Sequence, residues 1–85
     1  MDLTVVVVSY NTRDLLERCL VTVRDQIACL RAEIVVVDNA SSDGSAEMVT
    51  QRFPGVTVLG NDENHGFAHA VNQGIRAGSG RYVLL

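Results

Sequence analysis

Two runs of β-branched residues decide what this chain can become. Leu3–Val8 reads L-T-V-V-V-V and Ile34–Val37 reads I-V-V-V. A strand with one wet face alternates apolar and polar residues. These runs do not alternate, so both faces must be covered, as in a parallel sheet with helices on each side. Between them, Leu15, Leu16, Cys19, Leu20, Val23 and Ile27 recur at helical spacing and predict an amphipathic helix from Thr12 to about Ala28. Asn11 is a good N-cap for it, and Asp14 three residues later can complete a capping box.

The alternation continues. Glu33–Val37 is expected as a strand, followed by the polar loop Asp38-Asn39-Ala40-Ser41-Ser42-Asp43-Gly44. Ser45–Phe53 reads as a short helix with Ala46, Val49 and Phe53 on one face, stopped by Pro54-Gly55. Val56–Leu59 is a third strand and Gly60–His65 a loop. Phe67, Ala70, Val71, Gly74, Ile75 and Gly78 mark one face of a third helix. Phe67 is expected as a core anchor, and the small residues let the helix lie close to a sheet. Gly78-Ser79-Gly80 stops it, and Arg81–Leu85 begins a fourth strand. The order β-α-β-α-β-α-β implies one parallel sheet with right-handed crossovers. A sequence that stops inside an apolar strand also reads as one domain, 1–85, cut from something longer.

Composition narrows the function. With 7 Lys+Arg against 10 Asp+Glu, the net charge is -3 and there is no basic block, which argues against nucleic acid as the main partner. All seven cations are Arg, so no mechanism that needs a lysine is available. Val5–Val8 is far too short to span a bilayer. Cys19 and Cys29 are too few for a disulfide scaffold and are expected as buried free thiols of a reducing compartment.

In open parallel sheets ligands sit beyond the carboxyl ends of the strands. Those ends carry Ser9-Tyr10-Asn11, Asp38-Asn39 and Asn61-Asp62-Glu63-Asn64. Asp38 leaves a buried strand as an anion and needs partners. It either accepts hydrogen bonds from a nucleotide or braces its own loop. Asp43, before Gly44 and a helix, reads as a cap. Asn64 is a cap or a ligand contact, Gly66 permits close backbone approach, and Asn72 either faces solvent or ties a loop. His65 and His69 lack a third ligand and read as surface or capping residues. The first strand-to-helix turn holds no glycine, which excludes the dinucleotide fingerprint and the P-loop. A G-x-S-x-G nucleophile elbow is absent as well.

Three ordered motifs carry a resemblance that covers essentially the whole chain: Val5–Asn11, Ile34–Ser45, and Asn64-His65-Gly66-Phe67-Ala68 through Asn72 and Gly74. Together they resemble the start of family 2 glycosyltransferases with the GT-A fold, in the bacterial rhamnosyltransferase-like branch. The resemblance implies a three-layer α/β/α, Rossmann-like open sheet of strand order 3-2-1-4. It implies an inverting, hexosyltransferase-type enzyme of cell-envelope polysaccharide synthesis that takes a UDP- or dTDP-sugar to an acceptor hydroxyl. By the same resemblance Ser9, Tyr10 and Asn11 lie against the base, Asp38 hydrogen-bonds base or ribose, and Asn64 and Gly66 close the nucleotide pocket. No catalytic residue is assigned. The family's D-x-D-type motif would follow the fourth strand, so Mg²⁺ or Mn²⁺ ligands are expected beyond Leu85 and the 85-residue piece is expected to be inactive alone. The enzyme would be cytoplasmic, at the membrane face in its full-length form. The alternative is a non-catalytic nucleotide-binding or regulatory α/β module. An unfinished edge strand could also pair two copies of the chain.

Overall fold

A computed structural model describes residues 2–80 and 82–84. The elements run β1 (Leu3–Ser9), α1 (Arg13–Gln26), β2 (Ala32–Asp38), α2 (Ser45–Arg52), β3 (Thr57–Gly60), α3 (Phe67–Ala77) and β4 (Tyr82–Leu84). They form one parallel sheet in the order β3-β2-β1-β4. Of the expected fourth strand, Arg81 and Leu85 lie outside the described residues.

The unbroken valine runs are buried on both faces, as their composition requires. On one face Val5, Ile34 and Val36 pack with Leu16 and Leu20 of α1, Met48 and Val49 of α2, and Phe53. On the other, Val6, Val35 and Val37 pack against Ala70 of α3. The split follows from topology. The chain steps from β1 to β2 to β3 in one direction and then crosses back over β1 to β4. Right-handed crossovers in opposite directions put their helices on opposite faces. The reversal leaves β1 central and places the sheet's switch point beside it.

On the α3 face the fit is close. A Cβ built on Gly74 would lie 3.1 Å from Val6 Cγ2 and closer still to Cγ1, so α3 rests directly on β1. Beneath it, Glu33 accepts hydrogen bonds from the Ser79 backbone N–H and from Thr4 Oγ1 (2.8 Å), while Thr4 Oγ1 accepts from Gly80 N–H at 2.9 Å. This latch feeds β4 into place beside Leu3–Val5.

Several side chains sit elsewhere than expected. Phe67 is 67% exposed, so it is not a core anchor. As the first residue of α3 it overhangs an apolar groove of about 250 Å³ beside β1, shared with Val5–Val8, Cys19, Val23 and Val71. Leu15 is 63% exposed. Leu15 and Cys19 sit one position, about 100° of helix, before the buried Leu16–Leu20 stripe. Cys19 and Cys29 are both exposed free thiols, which corrects the expectation that they are buried. Cys29 lies past the end of α1 altogether.

Candidate functional site: the carboxyl rim of the sheet

The carboxyl ends of β1, β2 and β3 are joined by main-chain bonds. Asn39 N–H donates to the Ser9 carbonyl at 2.8 Å, and Asn61 N–H donates to the Asp38 carbonyl at 2.9 Å. Ser9 and Asp38 are register partners, 2% and 4% exposed. Around them the rim consists of two interlocked loops and one turn.

The first loop, after β1, places Asn11 at φ 50. Asparagine tolerates this left-handed conformation better than most residues. From it, the Asn11 backbone N–H donates to Ser41 Oγ at 2.8 Å, and its Oδ1 accepts from the Ser42 N–H at 2.8 Å. The expected N-cap and capping box are therefore not formed. Thr12 is the N-cap residue, without a side-chain capping bond. Asn11 is drawn off to the neighbouring loop, and Asp43 caps α1 in its place, accepting the Arg13 N–H at 3.0 Å.

The second loop, after β2, is organised by its two aspartates. Asp38 Oδ1 accepts from Ser41 Oγ at 2.6 Å and Oδ2 from Ser41 N–H at 3.1 Å. The Ser41 hydroxyl thus receives the Asn11 N–H and donates to Asp38, which fixes its proton toward the carboxylate. Asp43 is a cap, as its position suggested, and it serves two helices. Besides Arg13 it accepts from Ser45 N–H at 3.1 Å and Ser45 Oγ at 2.5 Å. The Ser45 hydroxyl, aided by the two backbone N–H groups, holds its carboxyl below the ordinary 3.8. Ala40, at φ 65, is the other non-glycine residue of positive φ among those described. Both strained positions lie in these two facing loops, a distribution common at binding sites.

The turn before α3 holds Asn64 and Gly66. Asn64 Oδ1 accepts the Gly66 N–H at 2.9 Å, so Asn64 closes its own turn. Gly66 has φ 87, and a Cβ there would meet nothing within 4 Å. Glycine is required for the backbone angle, and the space around it is open. The Gly66 carbonyl accepts from Asn39 Nδ2 at 3.2 Å, which binds this turn to the rim.

Of the six expected site residues, Ser9, Asn11, Asp38 and Gly66 are linked by these contacts at one end of the sheet. Tyr10 stands half exposed beside them, and Asn64 reaches them through Gly66. Asp38 is engaged by its own loop, yet each oxygen accepts one bond and retains a second lone pair. Four further residues hold the rim together: Asn39 and Asn61, named at the strand ends without a role, and Ser41 and Gln73, which were not singled out. Asn72 is exposed, and the loop tie comes from its neighbour Gln73. Asn61 was visible as a strand-end residue; Ser41 and Gln73 carried no local signal.

Chemically, this rim is a surface of hydroxyls, amides, two carboxylates and main-chain groups. Among the described residues no group of three or more His, Cys, Asp or Glu could hold a metal ion. The His65 and His69 rings lean on each other, 4.8 Å between centroids.

Comparison with known proteins agrees with this fold. The family model "Glycosyl transferase family 2" matches residues 4–85. The succinoglycan biosynthesis protein ExoO of Rhizobium meliloti is 35% identical over 85 residues, covering 99% of this chain and 24% of that protein. An N-acetylglucosaminyl-diphospho-decaprenol L-rhamnosyltransferase of Mycobacterium tuberculosis is 36% identical over 74 residues, covering 86% of this chain and 24% of the relative. The solved structure of the mannosyltransferase PcManGT from Pyrobaculum calidifontis, in complex with GDP-Man and Mn²⁺, superposes with a TM-score of 0.79 at 34% identity, covering 95% of this chain and 25% of that one. The chain therefore spans about a quarter of the length of these relatives, and it belongs to glycosyl transferase family 2.

Proposed function

We propose that this chain is the nucleotide-binding part of a sugar transferase that moves a hexose from a nucleotide-diphosphate donor to an acceptor hydroxyl with inversion. The observation that carries the reading is the convergence of Ser9, Asn11, Asp38 and Gly66 on one rim beside the switch point of the sheet. A structural neighbour at 34% identity holds GDP-Man and Mn²⁺, and other relatives act in envelope polysaccharide synthesis.

On this reading Tyr10, half exposed, offers a ring face to the base. The second lone pairs of Asp38 accept from base or ribose. The open space at Gly66 admits the sugar–phosphate backbone. The donor is a UDP- or dTDP-sugar, with GDP as the comparison that the neighbour suggests. A divalent cation would supply charge neutralisation of the leaving diphosphate. The described residues do not fit such an ion, because no group of three or more His, Cys, Asp or Glu among them could hold a metal. Its ligands, the base that deprotonates the acceptor, and the acceptor site belong to residues after β4, and these 85 residues are inactive alone. No helix among those described is long and apolar enough to cross a membrane. Action at the cytoplasmic membrane face is part of the proposal.

The test is calorimetric titration of UDP, dTDP and GDP, each with and without Mn²⁺, into this chain and into a version extended well past β4. Weak, metal-independent binding here, tighter and metal-dependent in the longer protein, supports the reading. No binding by either folded protein refutes it in favour of a non-catalytic α/β module.

A further inference from the structure

Three side-chain amides form a connected chain behind the rim. Asn61 Nδ2 donates to Asn39 Oδ1 at 2.9 Å and to Gln73 Oε1 at 2.8 Å, and Gln73 Nε2 returns a bond to Asn61 Oδ1 at 2.8 Å. Asn39 Nδ2 continues the chain to the Gly66 carbonyl at 3.2 Å. The chain is anchored at its base, because the backbone N–H groups of Asn39 and Asn61 are held by the ends of β1 and β2. It grips α3 at two points about two turns apart, the carbonyl just before the helix and Gln73 within it.

Packing does not hold the first turn of α3, where Phe67, Ala68 and His69 are all exposed. From Ala70 onward the helix is held by its close seat on Val6 at Gly74 and, past its end, by the bond from Ser79 to Glu33. Hydrogen bonds are directional and supply what packing lacks at the other end. The amides carry no charge, so this restraint does not vary with pH. Asn39 is 2% exposed, and burying an amide is tolerated only when its bonds are made.

We propose that Asn39, Asn61 and Gln73 are positioning residues that hold the N-terminal half of α3 to the rim, and with it the Asn64–Gly66 turn opposite Ser9 and Asp38. The functional part of this inference rests on reading the rim as a nucleotide site; the structural part does not.

The experiment is ¹⁵N–¹H NMR of this chain and of Gln73→Met, which keeps length and helix propensity but removes both bonds to Asn61, with UDP, dTDP and GDP titrated into each. The amide signals of Gly66 and Phe67 should move. Exchange of the Ala70 amide, bonded to the Gly66 carbonyl, should quicken about three- to tenfold. Ser79, at the far end of α3, should stay in place. Nucleotide dissociation constants should rise by a similar factor. Adding Asn61→Ala to Gln73→Met should shift Gly66 further, since it also removes the donor to Asn39 Oδ1, whose own amide holds the Gly66 carbonyl. In the unaltered chain the Asn61 and Gln73 side-chain NH₂ protons should exchange more slowly than free amides, a readout that survives even if the variant does not fold. Unmoved 66–67 signals, or side-chain NH₂ groups exchanging at free-amide rates, overturn the proposal. Shifted signals without nucleotide binding by the unaltered chain would uphold the positioning and count against the nucleotide reading alone.

Discussion

Gly74→Ala asks how rigid the contact between α3 and β1 is. The added methyl lies 3.1 Å from Val6 Cγ2, 3.3 Å from Val6 Cβ and closer to Cγ1. Val6 is 3% exposed in the central strand, paired with Val35 of β2 and with a stiff β-branched χ1. It cannot turn away, so α3 must lift and loosen Ala70 and Val71 from the sheet. Overpacking of this kind costs ~1–3 kcal/mol. Alanine's better helix propensity returns ~1 kcal/mol. The expected net loss is therefore ~0–2 kcal/mol, measured by urea unfolding followed by circular dichroism at constant m-value. Val6→Ala removes both offending carbons and alone should cost ~1.5–3 kcal/mol. In that background Gly74→Ala should become stabilising by ~0.5–1 kcal/mol, a coupling of ~2 kcal/mol in the double-mutant cycle. A stabilising Gly74→Ala in the unaltered chain, or an additive cycle, would refute close packing as the reason for glycine at this position.

Asp38→Asn should lower stability by ~1–2 kcal/mol in the same assay, because an amide cannot accept from both Ser41 groups at once. Unchanged unfolding would show that the carboxylate is free for a ligand in solution. The Glu33 carboxyl is held below its ordinary 4.5, chiefly by the Ser79 backbone N–H and then by the Thr4 hydroxyl. Its contribution is present above the unfolded value and lost as pH falls through the depressed folded one, so stability should drop below about pH 4.5. Glu33→Gln should flatten that acid limb, as Asp43→Asn should for the other depressed carboxyl. An acid limb unchanged in both variants would place the sensitivity elsewhere.

What the sequence disclosed and what it withheld divide along a physical line. The strands were legible because L-T-V-V-V-V and I-V-V-V leave no wet face, and the helices because Leu16, Leu20 and Val49 repeat locally. Phe67, Leu15 and Cys19 misled because periodicity gives the phase of a stripe but not the edge of the surface that covers it. Asn11 misled for a different reason. Its local setting is a good cap, but Ser42, 31 residues away, outcompetes its own helix for the side chain. Asp43 was readable for Ser45, two residues on, and unreadable for Arg13, which is 30 residues away. The rim's location was legible from topology; its wiring was not, because Asn39, Asn61 and Gln73 are joined through space.

The pairing of Leu3 with Tyr82 has a kinetic consequence. Strands β1 and β2 meet across 29 positions, whereas β1 and β4 meet across 79. Closing the longer loop costs about 0.9 kcal/mol more in chain entropy, so β4 should dock last, after β1–β2 has formed. During synthesis the centre of the sheet would wait as an open edge until β4 has emerged. Such an edge invites pairing with a neighbour, but Val23 of α1 and Val71 of α3 line the groove along it. Pulse-labelled hydrogen exchange during refolding should find the Val35 and Val36 amides protected before that of Leu84. Simultaneous protection would mean that the sheet forms in one step and that the two helices guard nothing.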